Sequence, residues 1–355
     1  MTKHHFVPVS IISAFASDQA WQLVKEAEDI QKRIANSDRA VMSKKNKKRL
    51  WPICVYEKSS KRMIRMKAED VCSMPNLYSV PDPNDQVTRA LIRFILEENT
   101  SLKNLDELFL LGEKPLDTDM IESAQVAELD HSFASILPAL KTGQQISDSQ
   151  IKIICRFVIF ARFRTPTWRR VHYPESFERK QKQLKDSIMQ NYWIERRLNK
   201  PSDRSLEAIN AAFDNNFYQM AMIQACNRES NVLSRINAKV LVLHRKGSIP
   251  FVTCDNSARP YFPDRIQQID VDGIPGMGDP RSQLTFPIDP NTCLLVSSNP
   301  NYPTFRHEEV NDKQIITINS ALALMADKEI IFADPNINVF ENWLSLSSLK
   351  PIRRP

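Results

Sequence analysis

Glycine is scarce in this chain: its 355 residues include 6, where average usage of about 7% would give roughly 25. Few glycines leave few positions where the backbone takes positive φ without strain. The first is Gly112, so no dinucleotide fingerprint or phosphate loop lies ahead of it, and G-x-x-x-x-G-K-[ST] occurs nowhere. Three of the six, Gly273, Gly276 and Gly278, fall in the segment GIPGMG. Its prolines suit a loop better than a strand-to-helix turn.

Long apolar runs are missing too. None approaches the roughly 18 residues of a membrane span. The opening tract MTKHHFVPVSIISAFAS is interrupted by Pro8 and lacks the layout of a signal peptide. The 6 cysteines are dispersed without any C-x-x-C pair, which argues against a zinc knuckle or a redox motif. Buried free thiols in a cytoplasmic protein are the expectation.

What is present is charge, unevenly placed. The net charge is +6. From Lys32 to Lys67 there are 13 Lys/Arg against 2 acids, and from Lys152 to Arg204 there are 14 against 5. The rest of the chain is acidic. The densest run holds Lys44, Lys45, Lys47, Lys48 and Arg49. Such stretches are the electrostatic footprint of a polyanion site, nucleic acid first. They equally suit a solvated helix end, or a surface that meets an acidic protein partner. No membrane partner is expected, and oligomeric state is left open.

The pattern along the chain points to an α+β fold, a single domain in three parts. Residues 1–80 read as β-rich, with a basic helical insertion over 18–49. Residues 85–236 read as helical, and 237–345 as β-rich again. The tract HFVPVSIISAFA reads as a strand or a strand and turn. LWPICVY and Met63–Met66 read as two strands about the turn EKSSKR, and Ala68–Tyr78 as irregular. One helix is expected over 117–140. Another follows Ser147, where Gln150 completes a capping box, and carries a stripe of Ile151, Ile154, Phe157, Val158 and Ala161. Val240–His244 and Ile249–Thr253 read as strands flanking the turn at Arg245–Ser248. The tract CLLVS, the short segment Ile315–Ile318 and residues 329–333 read as further strands, with a short helix over Ser320–Asp327. Strands from both chain ends would form sheet, with the helical middle packed on it.

Three polar constellations can carry chemistry. His4 and His5 sit beside a β-like segment, where adjacent histidines supply a metal ligand and a general base; a structural histidine is the alternative. Arg164, Thr165, Trp168 and Arg169 bracket a helix stop. The arginines there can clamp a phosphate and the indole can stack on a base, or the cations can cap a helix C-terminus. Thr253, Asp255 and Asn256 end a strand, with Asp255 suited to ligate Mg²⁺ or Mn²⁺ together with His5, or to close an Asx-turn. The tract Glu128-Leu129-Asp130-His131 reads as a solvated helix face. His172, His244 and His307 are isolated, without ligand spacing.

Taken together, HHFVPVSIISAFA, NLYSV, RFVIFARFRTPTWRR, PFVTCDN and FPIDPNTCLLVS resemble the DUF4238 family. Its members begin H-H-x-V-P and carry R-T-P-x-x-R and then T-S-D-N-P. Asn319 to Glu329 resembles the family's closing helix. The chain departs where Ser257 replaces the D-N-P proline, and where Val9-Ser10-Ile11 replaces aromatic residues. The family's motifs map onto the three constellations without naming a reaction, and the expectation is that the His pair, Arg164 with Arg169, and Asp255 with Asn256 converge in one cleft. The expectation is an enzyme on a phosphate-bearing substrate, a nuclease-like effector first, with defence or toxin action as its setting. Its catalytic residues would be His4, His5, Asp255 and Asn256. Its substrate contacts would be Arg164, Thr165, Trp168, Arg169, Thr253 and the Lys44–Arg49 run, with the GIPGMG loop as a lid. The alternatives are a non-catalytic nucleic-acid-binding or interaction module, and an enzyme on a small nucleotide.

Overall fold

The computed structural model describes residues 3–5, 7–16, 52–75, 127–165, 238–258, 260–261, 277 and 279–333. The fold is α+β, with three sheets and four α-helices among the described residues.

The N-terminal strand β1 (Lys3–His5) pairs antiparallel with β4 (Ser73–Pro75), so that His5 lies opposite Ser73. The apolar tract after it is helical rather than extended. Pro8 sets the entry to α1 (Val9–Ile12), which runs into a 3-10 turn over Ser13–Phe15. Burial of Ile11, Ile12 and Phe15 on one side outweighs the β-leaning composition. The pairing of β1 with β4 also corrects the irregular reading at Ser73–Pro75, while Ala68–Cys72 is turn and residues 76–78 lie outside the described residues.

The hairpin of β2 (Pro52–Glu57) and β3 (Arg62–Lys67) forms as expected, with Val55 opposite Ile64. Its turn has no glycine, and Lys61 takes the left-handed conformation instead, at φ 53°. This hairpin joins β11 (Glu329–Phe332) and the two-residue β6 (Thr253–Cys254) in a four-stranded sheet ordered β3-β2-β11-β6. Strands from both chain ends therefore share one sheet.

The second large sheet has the order β10-β5-β9-β8-β7. It is built from β5 (Lys239–Arg245), β7 (Pro260–Tyr261), β8 (Gln283–Asp289), β9 (Thr292–Ser297) and β10 (Phe305–Val310). All pairs are antiparallel except β10 with β5. The strand Val240–His244 does not turn back on Ile249–Thr253. After the turn the chain crosses to the other sheet, where Thr253 pairs with Ile331. The crossing is fixed by Asn319, which accepts from the Val252 N–H at 3.1 Å and donates to the Pro250 carbonyl at 2.9 Å.

Helices α2 (Ala127–Lys141) and α3 (Asp148–Phe163) form an antiparallel pair. The Ser147–Gln150 capping box starts α3 as its sequence requires. Helix α4 (Asp312–Met325) is one continuous element. The short strand expected at Ile315–Ile318 and the helix at Ser320 are both parts of it. Asn311 and Gln314 form a second capping box, and Ile315, Ile318 and Leu322 recur at helical spacing on its buried side.

Strand alternation divides the interior into two cores. Val240, Val242, Leu294, Val296, Ile53, Val55 and Ile331 face the core shared with α1, α2 and α3. Their neighbours Leu241, Leu243, Cys293, Leu295, Ile330 and Phe332 face the core around α4. Stacking of Phe133 on Phe157 at 3.7 Å, and the edge of Phe286 on Phe157 at 5.5 Å, tie α2, α3 and β8 together. Among the described residues no helix is long and apolar enough to cross a membrane.

Candidate functional site

The junction where α4 turns into β11 gathers the residues of the third constellation. Asp255 follows β6 directly and is buried. Its Oδ1 accepts from the Asp327 N–H at 2.8 Å. Its Oδ2 accepts from the N–H groups of Lys328 at 2.7 Å and Glu329 at 3.2 Å. Asn256 donates to the Met325 carbonyl at 3.0 Å. From the β2–β3 turn, Lys58 donates to the carbonyls of Ala323 at 3.1 Å and Ala326 at 2.6 Å. Helix ends leave carbonyls without intrahelical donors, and here two side chains from distant parts of the chain meet them. The turn that follows points its N–H groups inward, and the carboxylate of Asp255 meets those.

Burial pushes the Asp255 carboxyl up to about 6, against the pull of the backbone N–H groups. Burial also lowers the Lys58 ammonium, with the charges of Asp255 and Asp327 opposing. Thr253 is fully buried, and its Oγ1 has no hydrogen-bond partner among the described residues.

The backbone of His5 is linked to this junction through β4. It lies opposite Ser73, and the neighbouring Cys72 donates its N–H to Glu329 Oε2 at 2.9 Å. Cys72 feels the charges of both Glu329 and Asp255. The chain just before β4 and the T-x-D-N strand end thus meet at one residue, Glu329, whose carboxylate accepts from Cys72 and whose N–H donates to Asp255. His4 takes part in the strand backbone opposite Met74.

The second constellation is built differently. Arg164 is the C-cap of α3 and fully buried. Its guanidinium pairs with Asp130 of α2 at 3.2 Å and lies over the rings of Phe160 and Phe157 at 5.6 and 5.7 Å. Burial raises the Asp130 carboxyl and the arginine opposes that rise. Asp130, read as part of a solvated face, is therefore the counter-ion of the buried arginine. Thr165 donates its hydroxyl to the Arg162 carbonyl at 3.1 Å. What Arg164 is seen to do is hold α2 and α3 together. Trp168, Arg169, the Lys44–Arg49 run and the glycines of GIPGMG lie outside the described residues.

No three His, Cys, Asp or Glu side chains among the described residues converge as ligands. Both Asp255 oxygens already serve backbone donors. Burial raises the thiols of Cys72, Cys155, Cys254 and Cys293, with Cys155 pushed up to about 12, which disfavours their reactive thiolate form.

A group that spacing does not reveal is the pair His244 and His307, on neighbouring strands, with Nε2 and Nδ1 2.8 Å apart. Only the parallel register of β5 and β10 brings them together.

Basic side chains line the outer edge of the four-stranded sheet. On β3, Arg62, Arg65 and Lys67 are exposed, as is Lys61 in the turn before it. No ion pair among the described residues engages any of the four.

No curated protein and no solved structure matches the chain. The family described as "Protein of unknown function (DUF4238)" matches residues 3–336. That span holds the H-H-F-V-P strand, the α3 end at Arg164 and the T-C-D-N junction, and the chain belongs to the DUF4238 family.

Proposed function

We propose that this protein binds a polyanion, nucleic acid first, along the β3 edge of its four-stranded sheet. The observation that carries the reading is the row Lys61, Arg62, Arg65 and Lys67. All four are exposed, three on an edge strand and Lys61 in the turn before it, and none is neutralised by a described carboxylate. The same basic stretch of sequence runs back through Lys44, Lys45, Lys47, Lys48 and Arg49. Side-chain cations of this kind meet phosphates without any glycine-rich loop, which suits a chain so poor in glycine.

The test is anisotropy of labelled single-stranded RNA and duplex DNA titrated with the protein across a salt series. Wild type should bind with a steep loss of affinity as salt rises. The triple variant Arg62→Glu, Arg65→Glu, Lys67→Glu should bind more weakly, its salt slope shallower by about one for each phosphate contact removed. Equal affinity and slope in the two proteins would refute the reading. An acidic protein partner in place of nucleic acid would leave both proteins without nucleic-acid affinity.

A second reading, a nuclease-like enzyme, is favoured by the buried carboxyl of Asp255. Burial pushes the Asp255 carboxyl up to about 6, and the same carboxylate accepts from the Glu329 N–H. Groups poised near neutrality suit general acid–base work. This reading predicts cleavage of RNA or DNA, assayed with and without Mg²⁺ or Mn²⁺, that is lost in His5→Ala at unchanged stability.

A further inference from the structure

His244 and His307 stand 63 residues apart in sequence and are stacked at 5.1 Å. His307 also places Nε2 2.9 Å from the carbonyl oxygen of Gln144, in the loop between α2 and α3. Three groups from three elements therefore form one line: Gln144 oxygen, the His307 ring, the His244 ring.

The line fixes the protons. A carbonyl oxygen only accepts, so His307 Nε2 must carry a hydrogen and donate it. A neutral His307 then has a bare Nδ1, which accepts from Nε2–H of His244. His244 in turn has a bare Nδ1. One added proton can go to His244 Nδ1 with both hydrogen bonds kept. A second proton can only go to His307 Nδ1, where it meets the Nε2–H of His244 head on. Two N–H groups and two positive charges cannot share a 2.8 Å gap.

We propose that the His244–His307 pair is an acid-opened latch, which pins the α2–α3 loop to the β10 edge of the five-stranded sheet. β10 is the outermost strand and pairs only with β5 among the described residues, so this side-chain line ties it to the helical layer. The charged groups facing the pair come from two further positions. Asp289 of β8 is held by Lys141 of α2 at 2.8 Å, and Glu309 of β10 is held by Lys246 at 2.7 Å. Both carboxylates favour charge on His244. Burial and the second imidazole oppose it and prevail, so its pKa is lowered. A histidine lowered in the folded state contributes stability above its ordinary value of about 6.5, and loses it as pH falls. That first proton leaves the line intact, so the latch is closed at neutral pH and opens when acidification drives the second proton onto His307 Nδ1, into the 2.8 Å gap.

The test is hydrogen exchange of residues 142–147 and 305–310, followed from slightly alkaline pH down through the ordinary histidine range, in wild type and His307→Gln. Glutamine can donate to Gln144 and accept from His244 without titrating. Wild-type protection should fall by about tenfold beyond the intrinsic pH effect, the worth of one hydrogen bond, while His307→Gln stays flat. A flat wild type, or an equal fall in both proteins, would overturn the proposal. Should the variant not fold, ¹⁵N-histidine spectra of wild type decide. Both rings must be Nε2–H tautomers at slightly alkaline pH, and an Nδ1–H on His307 there sinks the latch.

Discussion

Replacing Asp255 with alanine removes a carboxylate that accepts from three consecutive backbone N–H groups, at 2.8, 2.7 and 3.2 Å. Each buried donor left unmet costs about 1–3 kcal/mol, less where water can enter. The loss is offset in part, because the folded protein holds Asp255 with its pKa raised from 3.8 to about 6. A raised carboxyl contributes stability that is fully present below its unfolded value and lost as pH rises through its folded one. The whole interval amounts to about 3 kcal/mol, of which roughly 1.4 kcal/mol falls between about pH 5 and pH 8. Asp255→Ala should therefore cost about 3 kcal/mol near pH 5 and nearer 1–2 kcal/mol near pH 8. Urea unfolding of both proteins at the two pH values reads the gap directly. A gap wider at pH 8 than at pH 5 would mean that the anion is the stabilising form. The backbone donors would then outweigh burial, and the account of this junction would be wrong.

Four other expectations can be checked on the purified protein. A methyl group on Gly247 would press on the Asp312 carboxylate, which accepts from the Ile249 N–H at 2.9 Å. Gly247→Ala should cost about 1–2 kcal/mol in thermal unfolding, and much less in an Asp312→Ala background. Arg164→Met should cost about 2–4 kcal/mol, since it leaves Asp130 beside an apolar side chain, and Asp130→Asn should recover part of that loss; additive losses would argue against the pair. Lys61 holds φ at 53°, so Lys61→Gly should gain up to about 1 kcal/mol, and a loss would show that strain there is not the issue. Cys155, Cys254 and Cys293 are buried with raised pKa values, and iodoacetamide should leave them unlabelled until denaturant is added; labelling of the native protein contradicts the packing.

Elements set by local interactions were legible from the sequence, and those set by distant partners were not. Helix α3 was legible because Ser147 and Gln150 cap it locally and its stripe repeats at helical spacing. Helix α4 has an equally local box in Asn311 and Gln314, but the β-branched run Ile315-Ile316-Thr317 after it imitates a strand. Its buried position between two sheets decides the matter. Strand β10, FRHEEV, escaped notice because an edge strand guarded by charge shows little apolar alternation. The T-x-D-N tract was recognisable as special, but its partners lie 72 to 74 residues away. Its work at a helix end could not be read from its neighbours. The same distance hid the pairing of Arg164 with Asp130 and of His244 with His307.

The residues that carry the family resemblance share a mechanical feature. Asp255 and Asn256 clamp the turn between α4 and β11, Asn319 fixes the crossing between sheets, and Arg164 binds α2 to α3. Each joins two elements of the fold, and each is buried. Buried polar groups of this kind are costly when half satisfied and specify one arrangement when fully satisfied. A signature made of such residues defines a scaffold, and a scaffold leaves its outer edges free to differ. In the polyanion-binding proposal the recognition chemistry sits instead on the exposed basic residues Arg62, Arg65 and Lys67. Variants there should alter binding while leaving unfolding unchanged, and variants at Asp255 or Arg164 should alter unfolding first.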